Sequence, residues 1–478
     1  MARATMRFLS SDEEDTLHGQ SLRSLEELGV LVRSRPVLDM LEGAGAEVDY
    51  DKMIARMPET MVMDAVRKAP REFTLCARDS RHDLKVPVAG IPFMANTGLA
   101  SYMMDMDTGE RRNATVADVT AFARLCDAMD LVDFFWTPVV PMDVPDMSHA
   151  AHLLWTSLLN TTKHVQQVEV MSAEDAKVQI GLAELFAGGA EELGNRPLFS
   201  VVCSPISPMS FEKGSVEAQV EFSRAGVPIV SMNMPISGFT SPVTIAGTMN
   251  VVNVENLASL VISQCAAEGA PFVYSSAAAP ADMRTGSLPS GPAEMPAIAA
   301  GLSQLAGRYG LPCMIGGWGM CDGVKPGADM TLSEVSSYAA EMFSATDLAS
   351  GLGSMDGAKG AALEQIVIDA YTWGNFRSSL RETKVDERSV ALDALKAVGH
   401  AGTFISHPQT LRDFRESISV RDESKRSWEA TLSYGMVEEA RALAKKILDE
   451  HAAPETEMAI VERGESVIRE YERSTMGT

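Results

Sequence analysis

YGLPCMIGGWGMCDGVKPGAD, residues 309–329, is the stretch on which the reading of this chain turns. Its first half reads as a short buried strand at 312–315, entered from a helix that stops at Tyr309-Gly310. Its second half is a glycine-rich turn with Trp318, Met320 and Cys321, followed by Asp322 and Lys325. Barrel enzymes place substrate-contacting groups just beyond strand ends, and a large aromatic among glycines suits such a place. Trp318 reads equally as a packed loop anchor, because Trp is mostly buried whatever its role.

Outward from that strand, short apolar or β-rich runs alternate with longer helical ones. Strands are predicted at 91–95, 133–137, 164–168, 198–203, 228–232, 271–275, 312–316 and 347–352. Helices are predicted between them, at 116–128, 148–159, 173–187, 212–225, 242–267, 293–309, 332–343 and 359–377. Gly226-Val227-Pro228 and Gly310-Leu311-Pro312 are helix stops followed at once by strand starts, and Ser241-Pro242 reads as an N-cap with proline at the first helical position. Eight strand–helix units in about 290 residues have the count and size of a (β/α)8 TIM barrel, an α/β fold. A doubly wound open sheet would show a GxGxxG turn after its first strand, and none is there.

The barrel is placed at 88–380, with a helical N-terminal cap over 1–87 and a charged, helical C-terminal extension over 381–478. In the cap, Ser11 to Glu14 reads as a capping box. Further helices are expected at 36–43 and 58–68, and 47–54 is too short to assign. The extension predicts helices at 387–398, 429–451 and 457–473, suited to contacts between copies of the chain.

Composition narrows the function. A net charge of −24 argues against nucleic acid, which needs a basic footprint, and is compatible with cationic ligands. No apolar run is read as a membrane span and the start has no secretory apolar region, so a cytoplasmic protein is expected, with no membrane partner. The six cysteines are scattered without zinc spacing, so buried thiols and no metal site are expected.

Strand ends and the loops after them supply the candidate site: Asn96, Tyr102, Trp136, Gln166, Gln167, Ser204, Asn233, Met234, Phe239, Ser275, Ser276, Arg284, Trp318, Asp322 and Ser354. The set has no paired carboxylates placed for acid–base work, and the chain has no HExxH, GxSxG or P-loop. Amides, hydroxyls, methionines and a few large aromatics suit a poorly hydrated cation, which gains from aromatic faces and needs no general base. Trp136 also reads as a core residue, and His164, at a strand start, as a core or subunit contact.

Six segments then carry a resemblance. They are Asn160-Thr161-Thr162-Lys163-His164, Ser204-Pro205-Ile206-Ser207-Pro208, the run from Ser241 to Thr248, Tyr274-Ser275-Ser276, Tyr309-Gly310-Leu311-Pro312 with Asp322 downstream, and Gln365-Ile366-Val367-Ile368-Asp369. In order and spacing the chain resembles the trimethylamine methyltransferase superfamily, corrinoid-dependent enzymes that demethylate methylamines and quaternary amines. Trimethylamine-demethylating members carry pyrrolysine shortly after the seventh strand. That position falls at Gly319 or Met320 here, so the chain resembles the non-pyrrolysine branch, whose members act on quaternary amines such as glycine betaine.

The resemblance implies methyl transfer from a quaternary amine to the Co(I) corrinoid (cobalamin) of a partner protein. It also implies a homo-oligomer, and a chain that binds no cofactor tightly itself. The site residues expected on this reading are Trp318, Tyr102, Trp136, Phe239, Tyr274, Asn233, Gln166, His164 and Arg284. Trp318 is expected to wall the cation site. Arg284, Lys163 and His164 are the donors available for a substrate carboxylate. Demethylation of another methylated compound, or silent binding of such cations, remain the alternatives.

Overall fold

Eight parallel strands form the ring: β1 (Phe93–Asn96), β2 (Phe135–Trp136), β3 (Val165–Gln167), β4 (Phe199–Cys203), β5 (Ile229–Asn233), β6 (Phe272–Ser276), β7 (Cys313–Gly317) and β8 (Leu348–Leu352). Each pairs with its neighbours in chain order, β8 returns to β1, and a parallel bridge between Ala95 and Phe134 closes the circuit. The helices between and after them are α1 (Val116–Ala128), α2 (His149–Asn160), α3 (Ala173–Ala187), α4 (Lys213–Arg224), α5 (Ile245–Ala266), α6 (Met295–Tyr309), α7 (Leu332–Glu341) and α8 (Leu363–Phe376). This is the expected (β/α)8 barrel, in a computed structural model that describes residues 4–88, 90–168, 172–327, 332–418 and 435–476.

Alternation along the strands divides the core in two. Ala95, Phe134, Val202, Val230, Val273, Met314 and Leu348 fill the interior, while Val165, Phe199, Val201, Ile229, Phe272 and Tyr274 join the outer layer under the helices. The bottom of the ring is stopped by a hairpin, Phe73–Leu75 with Leu84–Val86, whose Leu75, Leu84 and Val86 belong to the interior cluster. His164 works at this end. Its Nδ1 meets Cys76 O at 2.8 Å and its Nε2 meets Ser200 Oγ at 3.0 Å, and burial pushes its pKa down to about 4. It is therefore a neutral core histidine far from the strand ends that face the mouth.

Lys163, its neighbour, is buried under α1. Its Nζ donates to the carbonyls of Cys126, Met129 and Val132 at 2.7, 2.8 and 2.7 Å. An ammonium there satisfies carbonyls left open where the helix ends and complements its dipole.

Several local expectations shift. The capping box starts at Ser10, not Ser11: Ser10 Oγ accepts from Glu13 N–H while the Glu13 carboxylate takes Ser10 N–H. Helix α5 is capped by Thr244 and starts at Ile245, so Ser241-Pro242 stays in the preceding loop. The N-terminal helices Ser11–Glu27, Arg35–Gly43 and Glu59–Lys68 are joined by a small sheet, because the unassigned 47–54 stretch supplies Glu47–Asp49 and the start of Ile54–Arg56. By length and composition α5 is apolar enough to cross a membrane, contrary to the sequence reading, yet most of its residues are buried inside the protein. All six cysteines are free thiols.

The C-terminal helices Met436–Glu450 and Met458–Met476 lie against the barrel, the first on α8 and α1, the second on α3 and α2. The start of the helix predicted at 429–451 lies outside the described residues up to 434. Arg124 of α1 donates to Leu448 O at 2.7 Å, and His451 Nε2 meets Asp127 Oδ2 at 2.8 Å.

Replacing Lys163 with Met would take from Val132 O its donor, and from Cys126 O and Met129 O one of two donors, since these keep the N–H groups of Met129 and Val132. An unmet buried carbonyl costs about 1–3 kcal/mol, so urea unfolding of Lys163→Met should show a deficit of about that size. A variant as stable as the wild type would mean that the carbonyls find other partners.

Candidate functional site

The mouth at the C-terminal ends of the strands opens on a cavity of about 380 Å³. Its lining is mainly apolar, with Trp136, Met232, Met314, Met320 and Ile298 prominent, and the hydroxyls of Thr97, Ser204, Ser276 and Ser350 are spaced around it. One ionisable side chain lines it among the described residues, Glu341. Among the described residues the lining has no Lys, Arg or His, and no group of acidic, His and Cys side chains is placed to hold a metal ion.

Glu341 ends α7. Ser337, Tyr338, Glu341 and Met342 are all buried, the spacing of one helix face, so the carboxylate is carried inward on the apolar stripe. Its Oε2 accepts the Gly317 N–H at 3.2 Å. No other hydrogen bond or ion pair reaches it among the described residues. Burial pushes its carboxyl up to about 7, with the Gly317 contact pulling the other way.

Trp136 is the one predicted aromatic on the cavity wall. Gly98 lies so close to its indole that a Cβ there would come within 2.6 Å of three ring atoms, so only glycine lets this loop cover the ring. The indole N–H has no partner among the described residues. Gln166 stands beside Trp136 across β2 and β3, on the interior face, fully buried with neither amide atom hydrogen-bonded.

Trp318 corrects the expectation. It does not line the cavity; it is 8% exposed, stacks on Phe376 at 4.7 Å between ring centres, and donates its indole N–H to Thr372 at 3.1 Å. The cause is a bulge. Between Met314 and Gly317 strand β7 advances three residues while β8 advances two, from Leu348 to Ser350. One extra residue flips every later side chain to the other face. Gly316, at φ +128°, provides the backbone. Trp318 is thereby turned onto α8.

The rest of the set divides. Asn233 and Tyr274 face out of the barrel toward α5, where Asn233 donates to Glu255 and accepts from Asn256, and the Tyr274 hydroxyl donates to Asn253. Tyr102 sits in a side sheet, donating to Asp356, with the Arg111 guanidinium 3.8 Å over its ring. Its aromatic face is already taken. Arg284 is exposed and bound to Asp282 on its own loop, and Phe239 is exposed on the rim. Asp322 accepts from Ser290 on the rim, outside the cavity lining. With Lys163 and His164 in the scaffold, none of the three proposed carboxylate donors reaches the cavity.

The two positions set against pyrrolysine separate. Gly319 packs on α8 so tightly that a Cβ would lie 2.6 Å from Asp369, whereas Met320 lines the cavity. Glu341 is not among the residues expected from the sequence because it lies on a helix and not at a strand end. Its spacing from Tyr338 was the available signal.

A family comparison matches residues 2–474 to trimethylamine methyltransferase (MTTB). The trimethylamine methyltransferase MttB of Desulfitobacterium hafniense is 30% identical over 97% of this chain and 93% of its own. A glycine betaine methyltransferase of the same species is 26% identical over 88% of this chain and 87% of its own. The solved monomethylamine methyltransferase MtmB of Methanosarcina barkeri matches at a TM-score of 0.51 over 93% of each chain, with 15% identity, a likeness of fold alone.

Two outcomes follow from this geometry. Trp318→Leu should destabilise by about 2–4 kcal/mol in urea unfolding, as large-to-small core changes do; a wild-type midpoint would refute its anchoring role. Glu341 should make the ligand-free protein less stable as pH rises from 4.5 toward 7, because the folded state keeps a proton that the unfolded chain releases. A shift of this size is worth on the order of 3 kcal/mol. His164 acts oppositely, removing stability as pH falls from 6.5 toward 4. The difference between the pH–stability curves of wild type and Glu341→Gln isolates the glutamate, and parallel curves would contradict its buried, protonated state.

Proposed function

The chain belongs to the trimethylamine methyltransferase family, and from that premise we propose that it moves a methyl group from a quaternary amine to the Co(I) corrinoid of a partner protein. The support is the cavity: an apolar chamber at the barrel mouth with an indole wall and, among the described residues, a single buried carboxylate. A permanent cation gains from the aromatic face and from the counter-charge, and a neutral ligand gains from neither.

The corrinoid supplies the nucleophile. The methyl carbon leaves nitrogen, the C–N electron pair stays on a neutral tertiary amine, and no proton needs to move. What remains for this chain is to hold one methyl group toward the mouth and keep water out. The described lining, with one carboxylate and otherwise hydroxyls and apolar side chains, agrees with that division of labour.

The rim suits a docked protein. Leu99, Ile206, Met234, Phe239, Met283 and Val324, from the loops after β1, β4, β5, β6 and β7, are all exposed. Apolar side chains gathered around one opening mark an interaction surface. A second copy of the chain is proposed to meet the extension, where Val390, Leu392, Ile405 and Leu411 are exposed.

Methylation of Co(I) cobalamin, followed by its absorbance, tests the reaction with choline, glycine betaine, carnitine, trimethylamine and dimethylsulfoniopropionate in parallel. Methyl transfer from a quaternary amine is the expected result. Binding without transfer from any donor, with the free or the protein-held corrinoid, would make this a binding protein. Trp136→Leu should weaken binding of the active amine roughly three- to thirtyfold, the range of a cation over an indole face, and Trp136→Phe should weaken it less. Unchanged affinity in Trp136→Leu would remove the indole from the site.

A further inference from the structure

We propose that Glu341 is the counter-charge of the cavity and makes it select methylated ammonium compounds of net charge +1 over zwitterions whose carboxylate lies close to the nitrogen. This rests on the function proposed above and narrows its substrate class away from glycine betaine.

The argument begins with what the cavity offers. Among the described residues Glu341 is buried, makes one hydrogen bond, from Gly317 N–H, and is the sole ionisable group on the lining. The other polar side chains of the described lining are neutral: four hydroxyls and the Trp136 indole N–H. A buried charge without a partner is expensive, so the site is completed by a cation that shares it.

A zwitterion brings a second carboxylate into the same small space, and no cationic side chain among the described lining residues answers it; the hydroxyls and the Trp136 N–H are neutral donors only. The cations of the mouth loops are outside. Arg284 and Lys359 are exposed and held by Asp282 and Asp356, and Lys325 is exposed on the loop after β7. Lys163 is spent on three carbonyls, and His164 sits neutral at the far end of the ring. The nearest carboxylate would therefore face Glu341 and an apolar wall.

Proton linkage sharpens the consequence. Tyr338 lies on the same helix as Glu341, β7 carries the Cys313 thiol, which burial keeps protonated, and the lining residues of β7, β8 and α6 are otherwise apolar, glycine or Ser350. Burial and then the Glu341 charge push the Tyr338 phenol above its ordinary range, so it stays protonated. Glu334, one further turn back on α7, accepts from Asp322 N–H. Glu341 is thus the group on the lining that changes charge near neutrality, and a bound cation would draw it into the ionised form. Binding of a net cation should release a proton and tighten as pH rises through about 7.

Calorimetry tests this with tetramethylammonium, choline, glycine betaine and the neutral isostere 3,3-dimethyl-1-butanol, at pH 6 and 8, in buffers of different protonation enthalpy. Choline is expected to bind at least tenfold more tightly than glycine betaine, releasing up to one proton at pH 6. Glu341→Gln is expected to cut that preference to threefold or less and abolish the proton release. The neutral isostere should bind both proteins alike, which shows that the variant's cavity is intact.

Glycine betaine binding as tightly as choline to the wild type would overturn the inference and leave the proposed function standing. So would equal losses for all four ligands in Glu341→Gln. If no quaternary amine binds or donates a methyl group, the proposed function fails instead.

Discussion

Closure of the eight-strand ring is the constraint on which the rest depends. Once β8 pairs with β1 and Ala95 meets Phe134, no strand edge remains, and alternate residues of every strand must fill the inside. The two ends are filled differently. Below, the hairpin around Leu75 and Val86 seals the ring with apolar side chains and the neutral His164. Above, where β7 and β8 bulge, side chains are diverted outward and a chamber is left. The cavity is what closure leaves once the upper residues of two strands have turned away.

The bulges also decide what the cavity can recognise. In β8, Ala349 to Leu352 spans three residues against two in β1, and Gly351 takes up the extra residue at φ +127°. A side chain at Gly351 would lie 2.6 Å from the carbonyl of Trp318. The two irregular strands thus fit only when both carry glycine there. In exchange, the opening between them admits Glu341 from α7 to the Gly317 N–H. At an effective dielectric of about 20, a second carboxylate about 6 Å away would repel that glutamate by roughly 3 kcal/mol. Substrate charge is therefore the property such a chamber discriminates best.

Much of the fold was legible in the sequence, since strand positions follow from apolar runs bounded by glycine and proline, which are local features. All eight predicted strands overlap the observed ones, and helix ends such as Tyr309-Gly310 were marked by local chemistry. Side-chain direction was less legible. Counting by twos from Met314 puts Trp318 inside, and only the bulge at Gly316 reverses it. The pair Gly316-Gly317 was visible, but pairing register is not a local property. Asn233 and Tyr274 were misplaced for a related reason: a residue at a strand end has two faces available, and the polar stripe of α5, with Asn253, Glu255 and Asn256, claimed the outer one. Glu341 went unseen because a single carboxylate in a helix ordinarily means solvent.

The placement of one carboxylate bears on rate as well as affinity. In the proposed transfer the positive charge of the donor fades as the methyl carbon leaves nitrogen. A fixed anion stabilises the full cation of the bound substrate more than the partly neutralised transition state, so its contribution goes to binding and slightly opposes the chemical step. Its benefit comes after transfer. The tertiary amine is neutral when formed, loses the attraction that held its precursor, and leaves Glu341 to regain a proton in the apolar chamber. A counter-charge with its carboxyl near 7 is suited to that alternation: it ionises when a cation arrives, and an ordinary carboxylate fixed in the charged state would face the full cost of burial at each product release. The Trp136 indole, like Glu341, loses its attraction once the charge is gone, whereas Met320 acts through contact alone and contributes alike before and after transfer. The chamber thereby separates recognition of charge, which must be reversible within a turnover, from recognition of shape, which need not be.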